Sequence, residues 1–138
     1  MADQVHFELV SPERLLFSAN VAEIVIPGVE GDFAVLAGHS NLISTLRPGV
    51  IHILETGAQV TDRIFVEGGF AEVNAEGCTV LAERAARVAD IDRNKAEQAL
   101  ADAREDLQDA KSEIDRAAAA QLVEIAEARI AALGTSTY

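Results

Sequence analysis

Glycine and proline divide this sequence into two parts near residue 88. Eight of the nine glycines and all three prolines lie before that point, where they separate short apolar runs. Short runs between turn residues at this spacing are typical of an all-β sandwich or barrel. Between residues 88 and 133 there is no glycine or proline, so the second part can form long helices. The sequence therefore predicts a β domain over residues 1–87 and a helical domain over residues 88–138.

The first part shows the period of two that half-buried strands require. In VHFELV, Val5, Phe7 and Leu9 fall on one side of the chain, while His6 and Glu8 fall on the other. The same alternation recurs in four further segments, VAEIVIPG, GVIHILETG, RIFVEGGFAEV and CTVLAE. The pattern predicts about eight to ten short strands.

The second part has the period of a helix and is rich in alanine. A first apolar seam recurs at steps of four and three, and it comprises Ala96, Leu100, Ala103, Leu107, Ala110 and Ile114. A second apolar stripe comprises Leu122, Ile125, Ala126, Ile130 and Leu133. Asp90 or Asp92 can cap the first helix and Ser112 can cap the second, because exposed amide groups there favour a side-chain oxygen.

Two arrangements fit this helical part. A hairpin with a break near Ser112 is favoured over one unbroken helix of more than forty residues. The predicted fold class is therefore α+β, with an N-terminal β-sandwich followed by a C-terminal antiparallel α-helical hairpin. Because the apolar seam is narrow and rich in alanine, the hairpin should bury little area and dock weakly.

The charge and the cysteine content exclude several classes of protein. With 138 residues the chain has room for one well-formed core. Its 23 acidic residues against 11 lysines and arginines give a net charge of -12, which opposes binding to nucleic acid or anionic lipid. The single cysteine, Cys78, cannot form an internal disulfide, and no cysteine and histidine spacing resembles a metal site.

The N-terminal segment MADQVHFELV lacks the basic and apolar regions of a secretory signal. No apolar stretch reaches the ~18 residues that a membrane-spanning helix needs. These features predict a soluble, cytosolic protein that reaches a membrane only through a partner.

The sequence does not predict a catalytic site. His39 and Ser40 are adjacent and Asp32 lies upstream, which suggests a catalytic triad. Neighbouring residues on a strand or turn point in different directions, however, and the sequence has no GxSxG motif. The glycines of GVEGDFAVLAG fit turns better than a phosphate-binding loop. A small hydrolase is therefore the least favoured function.

Several segments, taken in order, resemble one known family. FSANVAEIVIPGVEGDFAVLAGHSNLISTLRPGVI contains a strand, a Gly-Glu-Gly type turn, a second strand, a Gly-His pair, an apolar run and Pro-Gly. VEGGFAEV and CTVLAERA follow as strand signatures, and an alanine-rich helical hairpin ends the sequence. This combination resembles the bacterial epsilon subunit of the F-type ATP synthases over essentially the whole length.

The resemblance implies a non-catalytic subunit of the central stalk, which couples rotation of the c-ring to ATP synthesis. In that family the sandwich binds the gamma subunit and the c-ring at the cytoplasmic face of the bacterial inner membrane. By alignment, the family's ring-facing turn corresponds to Glu30, Gly31 and Asp32. Gly38 and His39 correspond to a surface near gamma and the ring.

The resemblance also implies a regulatory role for the hairpin. In the family it can fold against the sandwich or extend towards the alpha and beta catalytic subunits, and some members bind ATP near the start of the first helix. Ile91, Asp92 and Ala96 match that ATP motif, whereas Lys95 replaces its arginine. Lysine keeps the charge but loses the planar fork that binds phosphate through two parallel bonds.

The second helix departs further from the family's ATP-binding and inhibitory members. Arg129 matches one of two assisting arginines, and Ile125 stands at the other position. At most weak ATP contact is expected, with no other cofactor and no metal. The helix has two arginines (+2) and four acids (-4), a net charge of -2, whereas strong inhibitors present basic residues here. Weak inhibition of ATP hydrolysis is therefore expected, and a free-standing nucleotide-sensing module is the alternative function.

Overall fold

A computed structural model describes residues 3–134 of the protein. Within that range ten β-strands precede a short 3-10 turn (Val88–Asp90) and two helices, α1 (Arg93–Asp109) and α2 (Glu113–Leu133). The strands are β1 (Val5–Val10), β2 (Leu15–Val21), β3 (Glu23–Gly28), β4 (Gly31–Leu36), β5 (Leu42–Leu46), β6 (Gly49–Leu54), β7 (Asp62–Val66), β8 (Gly69–Asn74), β9 (Gly77–Leu81) and β10 (Ala85–Arg87). The predicted fold class is confirmed. Among the described residues, no helix is both long enough and apolar enough to cross a membrane.

The strands form one sheet that curls until its two ends face each other. Its order is β10-β7-β6-β3-β5-β8-β9-β1-β2, and β4 pairs with β3 outside this path. Neighbours run antiparallel, except that β1 and β9 are parallel. Where the two ends of the sheet face each other, the guanidinium of Arg87 on β10 lies 5.9 Å from the ring centre of Phe17 on β2. The result is a sandwich that is close to a closed barrel.

The space between the layers is filled by apolar residues from the inner side of each strand. Val5, Phe7 and Leu9 of β1 are all buried, as their alternation predicts. Other strands add Val21, Ile24, Ile26, Val35, Ile51, Ile53, Val66, Val73 and Val80 to the same core. Burying a side chain of this size stabilises the fold by about 1.5–3 kcal/mol. Cys78 also lies in this core, and burial raises the pKa of its thiol to about 12, so the thiol is unreactive.

The hairpin packs on the outer side of β6 and β7. Phe65 is 1% exposed and packs with Ile125 and Ala132 of α2. Four partly buried residues surround these three, namely Val50, Val88, Ile91 and Ala128. The hairpin is therefore folded against the sandwich, and β6 and β7 carry apolar residues on both faces.

Local capping groups set the break between the two helices. Asp92 accepts a hydrogen bond from the backbone N–H of Lys95 at 3.1 Å, and Ser112 accepts one from that of Asp115 at 3.0 Å. Ala110 has an extended backbone after the last turn of α1, so the polypeptide leaves the helix there. The prediction of a hairpin instead of one unbroken helix is confirmed.

The apolar seam predicted for the helices is partly wrong. Ala96 and Ala103 are buried, at 3% and 5% exposure. Ile114, however, is 82% exposed, and Leu122 of the second stripe is 53% exposed. The polypeptide restarts its helix after Ser112 in a new direction, so Ile114 no longer shares a face with Ala103. The seam holds only within each helix.

His52 makes the stability of the fold sensitive to acid. It lies on the same side of β6 as Val50 and is 4% exposed, and its pKa is lowered from 6.5, first by burial and then by the charge of Arg63. Below pH 6.5 the unfolded protein therefore binds more protons, and stability falls from pH 6.5 towards the lowered pKa. We expect His52→Leu to reduce the loss seen in urea unfolding between about pH 7.5 and about pH 5.5.

The other strand histidine provides the control for this pH prediction. The pKa of His6 is raised, mainly by its hydrogen bond with Asn20 and then by that with Glu8. Its effect on stability has the opposite sign, so His6→Leu should not reduce the loss in acid. An acid loss as large in His52→Leu as in the wild-type protein would contradict the prediction.

Candidate functional site

The turn that joins β3 to β4 carries the predicted ring-facing residues. Glu30 is exposed in this turn, and Gly31 has a φ of +132°, a backbone conformation that favours glycine. Arg47, which the sequence did not single out, holds the turn together. Its Nη2 donates to Oδ1 of Asp32 at 2.5 Å and its Nη1 donates to the carbonyl of Gly28 at 2.6 Å. Arg47 thereby balances the charge of Asp32 and leaves Glu30 as a projecting carboxylate.

The second predicted contact loop lies at the other end of β4. Gly38 has a φ of +79°, and the backbone N–H of His39 donates to the carbonyl of Leu36 at 3.1 Å. β4 has six residues, so its ends are about 17 Å apart at about 3.3 Å per residue. The structure therefore does not bring the two loops into one cluster. The same separation keeps Asp32 away from His39 and Ser40, which rules out a catalytic triad.

The residues of the ATP motif mostly serve the structure of the hairpin. Asp92 caps α1, and Ala96 is buried. Ile91 packs against the apolar cluster around Phe65, and Lys95 is exposed. Among residues 3–134, no three His, Cys, Asp or Glu side chains are grouped so that they could hold a metal ion.

Arg129, the arginine aligned with the ATP-binding members, is already paired. Its Nη2 donates to Oε2 of Glu67 at 2.7 Å, and its guanidinium lies 5.3 Å from the ring centre of Phe65. Both charged side chains line a cavity of about 410 Å³ whose wall also includes Arg14 and Arg84. Glu67 was missed because it lies 62 residues from its partner and nothing local marks it. The guanidinium of Arg129 is thus already paired with a carboxylate of this protein.

An apolar stripe crosses the outer face of the sheet on β2, β1, β9 and β8. We define it by four residues that the strand register places side by side, Leu15, Val10, Leu81 and Phe70. Leu15 and Phe70 are each 54% exposed and Leu81 is 45% exposed. A groove of about 850 Å³ is lined by Phe70 and Leu81 on the sandwich and by Leu122 on α2. Strand alternation could have revealed this stripe, since its members occupy outward positions that solvated strands give to polar groups.

Comparison with known proteins agrees with this architecture. Residues 4–88 match the family model of the β-sandwich domain of the ATP synthase delta/epsilon chain, and residues 92–138 match that of the C-terminal domain of the ATP synthase epsilon chain. The protein belongs to the ATP synthase epsilon chain family. The resemblance found in the sequence is thereby confirmed. An epsilon chain is a non-catalytic subunit of the central stalk, so this protein is not an enzyme by itself.

Individual epsilon chains match nearly the whole length. That of Maricaulis maris is 54% identical over 123 residues, which cover 89% of this sequence and 91% of the relative. That of Paramagnetospirillum magneticum is 50% identical over 133 residues, covering 96% and 99%. A subunit in the Euglena gracilis mitochondrial ATP synthase structure (OSCP/F1/c-ring, rotational state 1) is 32% identical with a TM-score of 0.82, covering 94% and 81%. A subunit in the Tetrahymena thermophila mitochondrial central stalk and c-ring shares the fold, at 19% identity and a TM-score of 0.65, covering 96% and 99%.

Proposed function

We propose that this protein couples rotation of the c-ring to ATP synthesis, as the epsilon subunit in the central stalk of a proton-translocating F-type ATP synthase. The proposal rests on the similarity of 94% of its length, at a TM-score of 0.82, to a subunit in a structure that contains F1 and the c-ring. In a bacterium the complex lies in the inner membrane, with this subunit at the cytoplasmic face. The subunit then reaches the membrane through the complex.

The sandwich has the stiffness and the separate surfaces that coupling needs. A closely packed core resists deformation, so the body transmits torque between partners. The turn at Glu30, Gly31 and Asp32 meets the c-ring at one end of β4. Gly38 and His39, at the other end of the strand, form a second contact surface near gamma and the c-ring. Surfaces about 17 Å apart at the spacing of a strand allow one rigid body to contact two partners at once.

The apolar stripe is the main surface for gamma, because exposed apolar patches on a folded protein mark sites of association. Phe70→Asp places a charge within this stripe. We expect the affinity for purified gamma, measured by isothermal titration calorimetry, to fall at least about 30-fold, since a buried aromatic anchor commonly contributes about 2 kcal/mol or more.

Ile114→Asp is the matched control for this binding experiment. Ile114 is also an exposed apolar residue, at 82%, but it lies at the start of α2 and is not among the residues that line the groove beside the stripe. Its affinity for gamma should stay within about twofold of the wild-type value. Equal loss in both variants, or no loss in Phe70→Asp, would contradict the assignment of the stripe. If the wild-type protein fails to bind gamma, the stalk function itself is wrong.

Inhibition of ATP hydrolysis by the hairpin is weak. With a net charge of -2 from two arginines and four acids, α2 is poorly suited to bind acidic surfaces of the alpha and beta subunits. Removal of residues 91–138 should raise the ATPase rate of the assembled enzyme by less than about twofold. Co-purification of the truncated protein with gamma is the control, because it shows that the enzyme still contains the sandwich. A many-fold rise in hydrolysis would refute weak inhibition.

ATP binding by the hairpin is weak for a related reason. The guanidinium of Arg129 is already paired with the carboxylate of Glu67. Ile125, which stands at the position of the second arginine of ATP-binding members, packs in the apolar cluster around Phe65. Lys95 and Arg129 supply two cations, but the first lacks the planar fork and the second is already paired. Ile91, Asp92 and Ala96 therefore act mainly as parts of the hairpin.

A further inference from the structure

The hairpin is joined to the sandwich by a charged pair at the edge of its apolar contact. We propose that the ion pair between Glu67 and Arg129, here called the latch, keeps the hairpin folded against the sandwich. The latch is a property of the subunit by itself. It goes beyond the coupling role and does not depend on it.

The sandwich holds its half of the latch rigidly. Glu67 directly follows β7, and its backbone N–H donates to the carbonyl of Arg84 at 3.3 Å. Gly68 and Gly69 then turn the backbone with φ values of +125° and +137°. A side chain at Gly69 would collide with the carbonyl oxygen of Leu81, so the turn is tightly packed. Because this backbone is already fixed in the folded sandwich, pairing costs only the conformational entropy of the Glu67 side chain.

The hairpin presents its half of the latch in a partly buried position. The side chains of Arg129 and Glu67 are 25% and 27% exposed, and the Arg129 guanidinium lies over Phe65. Partial burial strengthens the attraction, and loss of one partner leaves the other charge unpaired and partly desolvated. The pair of Arg104 and Glu127 within the hairpin is 59% and 56% exposed, and such exposed pairs contribute little.

The apolar contact beside the latch is small. α2 contributes Ile125, Ala128 and Ala132 to it, and each alanine buries only a methyl group. The sandwich core, in contrast, contains seventeen buried residues. A hairpin held by so little apolar surface can open while the sandwich stays folded. The charged pair adds to this apolar contact, so its loss should make the hairpin open more often.

The other charged side chains around the latch carry no net charge that could take over the role of Glu67 or Arg129. The wall of the shared cavity includes two further arginines and two further glutamates, Arg14, Arg84, Glu13 and Glu83, whose charges cancel. The Glu67 carboxylate already accepts the hydrogen bond from Nη2 of Arg129 that an incoming phosphate would otherwise accept. The carboxylate thus takes the place of an external anion at this arginine.

Hydrogen exchange on the full-length protein tests the latch. In Glu67→Gln and in Arg129→Gln, we expect the amides of α2 to exchange at least about fivefold faster relative to those of β1 and β9. The double variant should exchange no faster than the faster single variant, because both changes remove the same interaction. Arg104→Gln is the matched control and should stay within about twofold of the wild-type protein.

Exchange in β1 and β9 reports whether the sandwich itself stays folded. The latch is overturned if α2 in both single variants stays within about twofold of the wild-type rate. It is also overturned if α2 and the strands accelerate equally, or if the two effects multiply in the double variant. No other subunit takes part, so this failure is distinct from failure of the coupling role.

Discussion

Gly69→Ala should unfold or nearly unfold the sandwich, with a loss of more than about 4 kcal/mol in the free energy of unfolding. A Cβ atom on Gly69 would lie 2.1 Å from the carbonyl oxygen of Leu81, and the residue has a φ of +137°. That oxygen belongs to β9, which is paired with β8, so it cannot withdraw without disturbing the sheet. Urea unfolding followed by circular dichroism measures the loss.

Gly31→Ala separates the strain of the backbone from the collision. Gly31 has nearly the same φ, +132°, but a Cβ atom there would have no neighbour within 4 Å. Gly31→Ala should therefore lower the free energy of unfolding only by the strain of the backbone, about 1–3 kcal/mol. Similar losses in the two variants would contradict the importance of the close contact with Leu81.

Phe65→Ala should release the hairpin and lower the free energy of unfolding by about 3–5 kcal/mol. Phe65 is 1% exposed, packs with Ile125 and Ala132, and supports the guanidinium of Arg129. Its truncation leaves a cavity between β7 and α2 and removes the surface on which the arginine lies. Urea unfolding gives the loss of stability, and hydrogen exchange should show the amides of α2 losing more protection than those of β1.

Leu122→Ala is the control for the truncation of Phe65. Leu122 is a large apolar residue of α2, but it is 53% exposed. Its truncation should change the free energy of unfolding by about 0.5 kcal/mol or less. If Phe65→Ala had an effect as small as this, the apolar contact around Phe65 would contribute little to holding α2 against the sandwich.

The features of the fold that depend on neighbouring residues could be predicted from the sequence. Alternation placed Val5, Phe7 and Leu9 in the core because a strand has a period of two whatever its partners are. The hairpin was predictable because Asp92 and Ser112 can cap helix starts using only their own turn. The predicted apolar seam was wrong at Ile114 because the backbone turns between the two helices. The positions that face inward on the first helix therefore do not determine those on the second.

The candidate sites depend on contacts between distant parts of the sequence, and these were not predictable. Arg47 lies 15 residues from Asp32, and Glu67 lies 62 residues from Arg129. No periodic or capping signal connects such pairs, and a charged residue in a turn is ordinarily a solvated one. Sequence comparison with ATP-binding members singled out Arg129, but it could not show that the guanidinium is paired with the carboxylate of Glu67.

Proton-driven ATP synthesis in membrane vesicles tests the coupling role most directly. Vesicles whose ATP synthase lacks this subunit should lose synthesis driven by a proton gradient, and the full-length protein should restore it. Ile114→Asp should restore synthesis as well, whereas Phe70→Asp should not, because it weakens the contact with gamma. Undiminished synthesis in vesicles without the subunit would contradict the coupling role.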